Sequence, residues 1–151
     1  MKVTKLLNNE RAGGFTYHVK LTHADLTETA ANTAQVIELI TVKQGSIVSQ
    51  VGFNLTTPFE DASDANLNTT TITIGDAGSA ARFSASKELN VNGSEILAWA
   101  DAYGTSTMPY AYLAADTIDA TIGSMAAKSL SNVDTGEIDI LFNVVDISDY
   151  A

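Results

Sequence analysis

The fold class of this chain is decided by one stretch of sequence, Val36-Ile-Glu-Leu-Ile-Thr-Val42, Lys43-Gln-Gly45, Ser46-Ile-Val-Ser-Gln-Val-Gly-Phe-Asn-Leu-Thr-Thr57. Two apolar, β-branched runs, at about 35–42 and 46–57, meet at a short turn that contains a glycine. A third run, Thr69 to Gly75, returns after a polar loop. This pattern predicts a β-hairpin that feeds a sheet. No catalytic motif of similar clarity occurs, so the sequence specifies a scaffold better than a chemistry.

Segments on both sides of this stretch continue the β pattern. Phe15 to His23 alternates, which predicts a half-buried strand that places on one face Phe15, Tyr17, Val19 and Leu21. Gly136 to Ile147 predicts a long final strand whose inward residues are Ile138, Ile140, Phe142 and Val144. Roughly seven to nine short strands predict an all-β domain, an antiparallel β-sandwich or jelly-roll-like fold. We expect this domain over 15–151, preceded by an extended N-terminal arm over 1–14.

Local signals indicate where the chain turns. Gly75-Asp-Ala-Gly78 predicts a turn with positive φ. Pro58 is expected to end the second strand of the hairpin, because proline cannot donate a ladder hydrogen bond. Ala24 to Ala34 is compatible with a short helical turn capped by Asp25, with Glu28 three residues later. Ala80 to Lys87 is compatible with either a strand or a short helix.

Composition limits the classes of protein that fit. A chain of 151 residues with 45% apolar residues fits one globular domain. There is no cysteine, which excludes disulfides and thiolate chemistry. No apolar run reaches the roughly 18–20 residues that a membrane span needs, and the first residues do not resemble a signal peptide. We therefore expect a product made in the cytoplasm of its host cell, with no membrane partner.

The charge is large and uneven. The formal net charge is −10, which argues against nucleic acid as the main partner. Within residues 1–14, Lys2, Lys5 and Arg11 outweigh Glu10, which gives +2 there and leaves −12 for the rest of the chain. This segment is either an incidental, frayed terminus or an arm that docks on an acidic neighbouring subunit.

Candidate catalytic and metal sites are weak. His18 and His23 are five residues apart, so on one strand they face opposite sides and cannot bind one metal together. No Gly-x-Ser-x-Gly motif surrounds a serine. The acidic loop from Glu60 to Asp64, with Asp76, could gather oxygens for calcium, but it lacks the EF-hand spacing. We expect no metal, no cofactor and no enzymatic activity.

An aromatic cluster is the most informative candidate for a binding surface. Four of the chain's aromatic residues lie within fourteen positions: Trp99, Tyr103, Tyr110 and Tyr112. They could pack in the core, anchor a protein interface or form a platform for sugar rings. We predict that they form an oligomer interface, because a short β domain with polar strand faces can complete its core between subunits.

Several of these segments together resemble a known group of proteins. The stretch Ile40 to Thr57, the strand and turn Thr71 to Gly78, the segment Arg82 to Ser86 and the closing strand Gly136 to Asp146 resemble small structural proteins of tailed bacteriophages. Those proteins decorate or cement the capsid, or form short head fibres. The resemblance covers under two-thirds of the chain, and its motifs are structural.

The resemblance implies a virion structural protein, a homotrimer that sits on the major capsid protein at the outside of the head. Its role would be that of a cement or decoration protein, with no catalysis. Lys2, Lys5 and Arg11 of the arm would contact the capsid. The alternative left open is a head fibre, or a module that binds a receptor or glycan through the aromatic cluster.

Overall fold

The structure of the protein, a computed structural model, describes residues 1–7, 14–64, 69–90, 108–123 and 127–147. Nearly all regular structure in these ranges is β. The strands are β1 (Lys2–Lys5), β2 (Tyr17–Thr22), β3 (Gln35–Val42), β4 (Ser46–Glu60), β5 (Thr71–Asp76), β6 (Ser79–Glu88), β7 (Tyr110–Ala111), β8 (Asp116–Ile122) and β9 (Thr135–Asp146). Two single 3-10 turns, His23–Asp25 and Leu130–Asn132, complete the described elements.

The strands form two antiparallel sheets. The first has the order β1-β2-β9-β4-β7 and the second β3-β8-β5-β6. The pairs are nested along the chain, because β2 pairs with β9, β3 with β8, β4 with β7, and β5 with β6. A long antiparallel hairpin wound up in this way is the jelly roll. The predicted all-β sandwich is therefore confirmed, with β1 added at the edge of the first sheet.

The core lies between the inner faces of the two sheets. Val19 and Leu21 of β2, and Phe142 of β9, are completely buried there, together with Phe59 and Phe83. The alternation predicted for the last strand is confirmed, since Ile138, Ile140 and Phe142 are all buried. At about 25 cal/mol for each Å² of apolar surface removed from water, these large side chains supply the main stabilisation of the fold.

The predicted hairpin at Lys43–Gly45 is wrong, although the strands on both sides of it exist. β3 pairs with β8 in the second sheet, whereas β4 pairs with β9 in the first. The turn is tight: the Ser46 N–H donates to the Lys43 carbonyl at 3.1 Å, and Gly45 has φ of +87°. It carries the chain from one sheet to the other, and the apolar faces of both strands still point into the core.

The hairpin of the second sheet lies instead at β5–β6. Its turn occupies the predicted Gly-Asp-Ala-Gly position, but neither glycine there has positive φ. Gly75 is needed for close approach, because a β-carbon on it would lie 1.9 Å from the Ser79 carbonyl oxygen. Asp76 closes the turn by accepting hydrogen bonds from the Gly78 and Ser79 N–H groups at 3.0 and 2.9 Å.

Three smaller expectations also changed. Pro58 lies inside β4, at an irregularity between the pairs Thr57–Glu137 and Glu60–Thr135, where no ladder bond is required of it. Thr22 caps the 3-10 turn at His23–Asp25, and its N–H donates to Asp25 Oδ2 at 2.9 Å. Asp25 is thus not the capping residue itself but the residue that accepts the hydrogen bond from the cap. The ring of Phe15 covers Gly52 beside Leu141 on the outer face of the first sheet, not the core.

The described part of the predicted arm is a strand of the sandwich. β1 pairs with β2, with Lys2 opposite Lys20 and Lys5 opposite Tyr17. Arg11 lies outside the described residues. Within the ranges that the structure describes, no helix is long and apolar enough to cross a membrane.

Candidate interaction surfaces

The predicted aromatic cluster is only partly within the described residues. Trp99 and Tyr103 lie outside them. Tyr110 and Tyr112 stand at β7, with ring centroids 5.1 Å apart and planes at 90°. Phe83 of β6 contacts both rings, at centroid distances of 6.0 and 6.4 Å. This edge-to-face packing joins β7 of the first sheet to β6 of the second.

A buried ion pair lies beneath these rings. Asp76 is 5% exposed and pairs with the Arg82 guanidinium through its Oδ2. The Tyr112 hydroxyl donates to the same oxygen at 3.2 Å. Burial alone would raise the pKa of Asp76, but the hydrogen bonds from Arg82 and Ser79, with the Arg82 charge, hold that pKa below its ordinary value. Asp76 is therefore ionised in the folded protein at neutral pH.

Tyr112 consequently belongs to the core of its own protomer. It is 3% exposed, and burial, followed by the Asp76 charge, raises the pKa of its hydroxyl strongly. So little remaining surface gives it no substantial area for contact with a second subunit. Tyr110 is half-buried, and the Arg82 guanidinium lies 4.2 Å from its ring centroid. That contact occupies one aromatic face, which a sugar ring would otherwise need.

The outer face of the first sheet carries polar and charged side chains that pair between neighbouring strands. His18 contacts Asp139 at 2.7 Å, and Lys20 donates to Glu137 at 2.5 Å. The Lys20 hydrogen bond lowers the pKa of Glu137, and the same bond raises the pKa of Lys20. The Lys20 charge is shared between Glu137 and Asp139, and such partly exposed pairs contribute little to stability.

A small basic cleft of about 180 Å³ opens where β1 and β2 approach the turn between β3 and β4. Lys5 and Lys43 stand on its rim, and Tyr17 and Val144 contribute apolar lining. The Lys43 ammonium is 3.2 Å from Asp146 Oδ2. The Lys5 ammonium lies 5.9 Å from the Tyr17 ring centroid and forms no ion pair with any described residue.

The outer face of the second sheet is acidic. Glu38 of β3 stands directly opposite Asp119 of β8. Asp119 is 9% exposed, and its Oδ1 has no hydrogen-bond partner among the described residues. Burial raises the pKa of Asp119, and the nearby charges of Glu38 and Asp116 raise it further. The two carboxylates thus oppose each other, although a hydrogen bond from the Thr117 side chain lowers the pKa of Asp119 and offsets part of this effect.

The calcium candidates do not come together. Within the described ranges, no three acidic or histidine side chains are arranged to hold a metal ion. Asp61 accepts hydrogen bonds from the backbone and hydroxyl of Ser63, which lower its pKa, and Asp64 is paired with Lys128. Asp61 therefore stabilises its own loop, and Asp64 ties that loop to the segment after β8.

Sequence reasoning found some of these groups but not their roles. It singled out Asp76 as a possible calcium ligand, whereas the structure makes it the partner of Arg82. It did not single out Glu38, and it interpreted Asp119 only as a solvated charge near the start of a strand. Their opposition depends on the pairing of β3 with β8, and no local pattern encodes the partner of a strand.

Comparison with known proteins gives a distant structural likeness. No protein-family model matches the chain, and no curated protein matches it. Among solved structures, a chain of the cyanophage Pam1 capsid asymmetric unit is similar with a TM-score of 0.51. The match covers 93% of this chain and 91% of that one, at 17% sequence identity. At this identity the likeness shows a shared fold over nearly the whole length of both chains.

Proposed function

We propose that this protein is a virion structural protein that binds the outside of a bacteriophage capsid shell as a homotrimer and cements the head. The observation that carries the proposal is the near full-length fold similarity to a chain of a phage capsid asymmetric unit. Because each partner is covered by more than nine-tenths, the likeness concerns the complete sandwich and not one shared hairpin. The sequence motifs that resemble decoration proteins point independently to the same class.

The architecture suits a protein that resists mechanical load. Two strands near the two ends of the chain, β2 and β9, pair with each other along six residues of β2, so backbone hydrogen bonds join the first and last parts of the sandwich. The clamp formed by Asp76, Arg82 and Tyr112 joins the two sheets at another edge. A trimer would present three copies of each capsid contact, and binding them together raises avidity without any single strong site.

The proposed capsid contacts are the basic residues near the N-terminus, Lys2, Lys5 and Arg11. Because β1 is fixed on β2, Lys2 and Lys5 are presented at set positions and not on a loose tether. Lys2 and Lys5 lie three residues apart on one strand and so project from opposite faces of the sheet. This limits how many of the two side chains a single partner surface can contact. For the trimer, Trp99, Tyr103 and Tyr110 remain the proposed aromatic anchors, without Tyr112.

Two measurements test this function. Light scattering over a dilution series should give a mass about three times the 15.9 kDa of one chain. Purified protein should also co-sediment with phage shells that lack it, saturate at a fixed number of copies, and raise the temperature at which the shells rupture.

Absence of shell binding would overturn the proposal. If the protein instead bound members of a glycan panel with a change in tryptophan fluorescence, a receptor-binding or head-fibre role would replace it. As a control, heat-unfolded protein should neither sediment with the shells nor protect them.

A further inference from the structure

The edge strand β1 carries an exposed stripe with both apolar and basic character. Val3 and Leu7 are 44% and 66% exposed, and Lys5 between them is also exposed. Val3 pairs with the buried Val19, so the stripe lies on the side of the sheet that elsewhere faces the core. We call Val3, Lys5 and Leu7 the β1 stripe. Exposed apolar residues at a sheet edge indicate a surface that another chain covers.

A second stripe with opposite charge lies on β3. Val36 is 61% exposed, and Glu38, two residues later on the same face, is exposed as well. Glu38 forms no ion pair within the described residues, and Asp119 opposite it leaves one buried oxygen without a donor. We call Val36 and Glu38 the β3 stripe. A cation placed here would relieve the repulsion between the two carboxylates.

We propose that the β1 stripe of one copy docks on the β3 stripe of the next copy, with Lys5 paired to Glu38 and the exposed valines and leucine packed together. This inference rests on the proposed trimer and adds a second contact to its proposed aromatic anchors. Each copy carries both stripes, so a head-to-tail contact leaves one stripe open at either end of a row of copies, and a ring of three copies closes both. Lys5 would then serve the trimer, which leaves Lys2 and Arg11 for the shell.

A second copy is the occupant that the charges favour. The chain itself supplies both halves of a complementary pair, an ammonium flanked by apolar side chains and a carboxylate beside an exposed valine. The N-terminal fourteen residues carry +2 and the remainder −12, so head-to-tail association brings opposite charges together. Association through two identical acidic faces would instead bring like charges together.

Charge reversal with a matched control tests the contact. Lys5→Glu should weaken the oligomer by at least about tenfold in dissociation constant, measured by light scattering or sedimentation on dilution. Lys2→Glu makes the same change of net charge on the same strand but on the opposite face, and it should change that constant less than about threefold. The double variant Lys5→Glu with Glu38→Lys should restore the oligomer, because the pair is re-formed with its signs exchanged.

The proposal is overturned if Lys5→Glu assembles like the original protein, or if Lys2→Glu weakens assembly equally. Should Lys5→Glu fail to fold by circular dichroism, Glu38→Lys alone tests the other half of the contact, and unchanged assembly of that variant would overturn the proposal.

Shell binding, measured on the same samples, separates this inference from the proposed function. A variant that stays trimeric but no longer binds shells would assign Lys5 to the capsid and overturn the subunit contact. A trimer that responds to Lys5→Glu as expected but never binds shells would keep the contact and overturn the cement function.

Discussion

The hydroxyl of Tyr112 donates a hydrogen bond to Asp76 Oδ2, 3.2 Å away, and this bond connects the two sheets of the sandwich. Tyr112 directly follows β7 in the first sheet, and Asp76 ends β5 in the second. The same carboxylate closes the β5–β6 turn and pairs with Arg82. One buried side chain therefore fixes a turn, a neighbouring strand and the opposite sheet, which makes it the most constrained polar group described.

Tyr112→Phe removes only the hydroxyl of this connection. We expect it to lower the free energy of unfolding by about 1.5–2 kcal/mol, because a hydrogen bond to a charged acceptor is lost while ring packing is kept. Urea denaturation measures the change. Tyr110→Phe is the matched control, since the Tyr110 hydroxyl has no hydrogen bond within the described residues and its ring contacts persist. Equal losses in the two variants would contradict a specific role for the Tyr112 hydroxyl.

Asp76→Asn should lower the free energy of unfolding more than removal of any one hydrogen-bond partner of Asp76. The variant removes the Asp76 charge from the mostly buried guanidinium of Arg82, and breaking such a buried pair costs about 3–5 kcal/mol. The double variant Asp76→Asn with Arg82→Met should recover part of this loss, since no buried charge remains. Urea denaturation of these two variants and of Arg82→Met alone measures the differences. The double variant could instead be less stable than Asp76→Asn by the whole loss that Arg82→Met alone causes. That result would show that the two side chains act independently.

The contribution of Asp76 should depend on pH. Its folded pKa lies below the ordinary value, so its stabilisation is complete above the unfolded pKa, about 3.9. It is lost as the pH falls through the folded pKa, where the folded carboxylate takes up a proton. The stability difference between the original protein and Asp76→Asn should therefore be constant from pH 5 to 7 and shrink below about pH 4. Urea unfolding at several pH values measures this, and a difference that persists unchanged to lower pH would contradict it.

The strands were largely predictable because burial imposes a period of two on the sequence. The predicted limits of β3, 35–42, agree with the structure, and the inward residues of β9 follow directly from alternation. β6 was ambiguous between strand and helix, since its small residues, among them Ala80 and Ala85, show no clear alternation. Here the pairing with β5 decided the structure, and that pairing is tertiary information.

The partner of each strand could not be predicted. A tight turn with Gly45 serves a hairpin and a crossing between sheets equally well, because alternation specifies which side chains point inward but not which neighbour supplies hydrogen bonds. The same limit hid the opposition of Glu38 and Asp119, and the contact of Arg82 with Tyr110 across the sandwich. Each depends on residues distant in sequence that only the completed jelly roll brings together.

Asp119→Asn should stabilise the protein at neutral pH. Burial and neighbouring carboxylates raise the folded pKa of Asp119 above its unfolded value, so ionising it in the folded state is penalised. The penalty is present above the folded pKa and disappears as the pH falls towards the unfolded value. We expect a gain of about 1 kcal/mol at pH 7 that vanishes near pH 4.

The control for Asp119 is an exposed acid of the same sheet. Glu88→Gln on β6 removes the same charge at an exposed position and should change stability by less than about 0.5 kcal/mol at either pH. Thermal unfolding at pH 4 and pH 7 measures both variants. If Asp119→Asn destabilised the protein at pH 7, Asp119 would have to be stabilised as an anion, contrary to its burial and its neighbours.

Two glycines are required for different reasons, Gly75 for lack of space and Gly45 for its backbone conformation. Gly75 has ordinary backbone angles, yet a β-carbon there would overlap the backbone of the β5–β6 turn, 1.9 Å from the Ser79 oxygen. Because backbone cannot move aside as a side chain can, Gly75→Ala should cost at least about 3 kcal/mol. Gly45 has φ of +87° with no atom within 4 Å of its β-carbon position, so Gly45→Ala should cost only about 1–2 kcal/mol. Urea midpoints rank the two variants, and an equal or larger loss for Gly45→Ala would mean that the close packing of the β5–β6 turn relaxes at little cost.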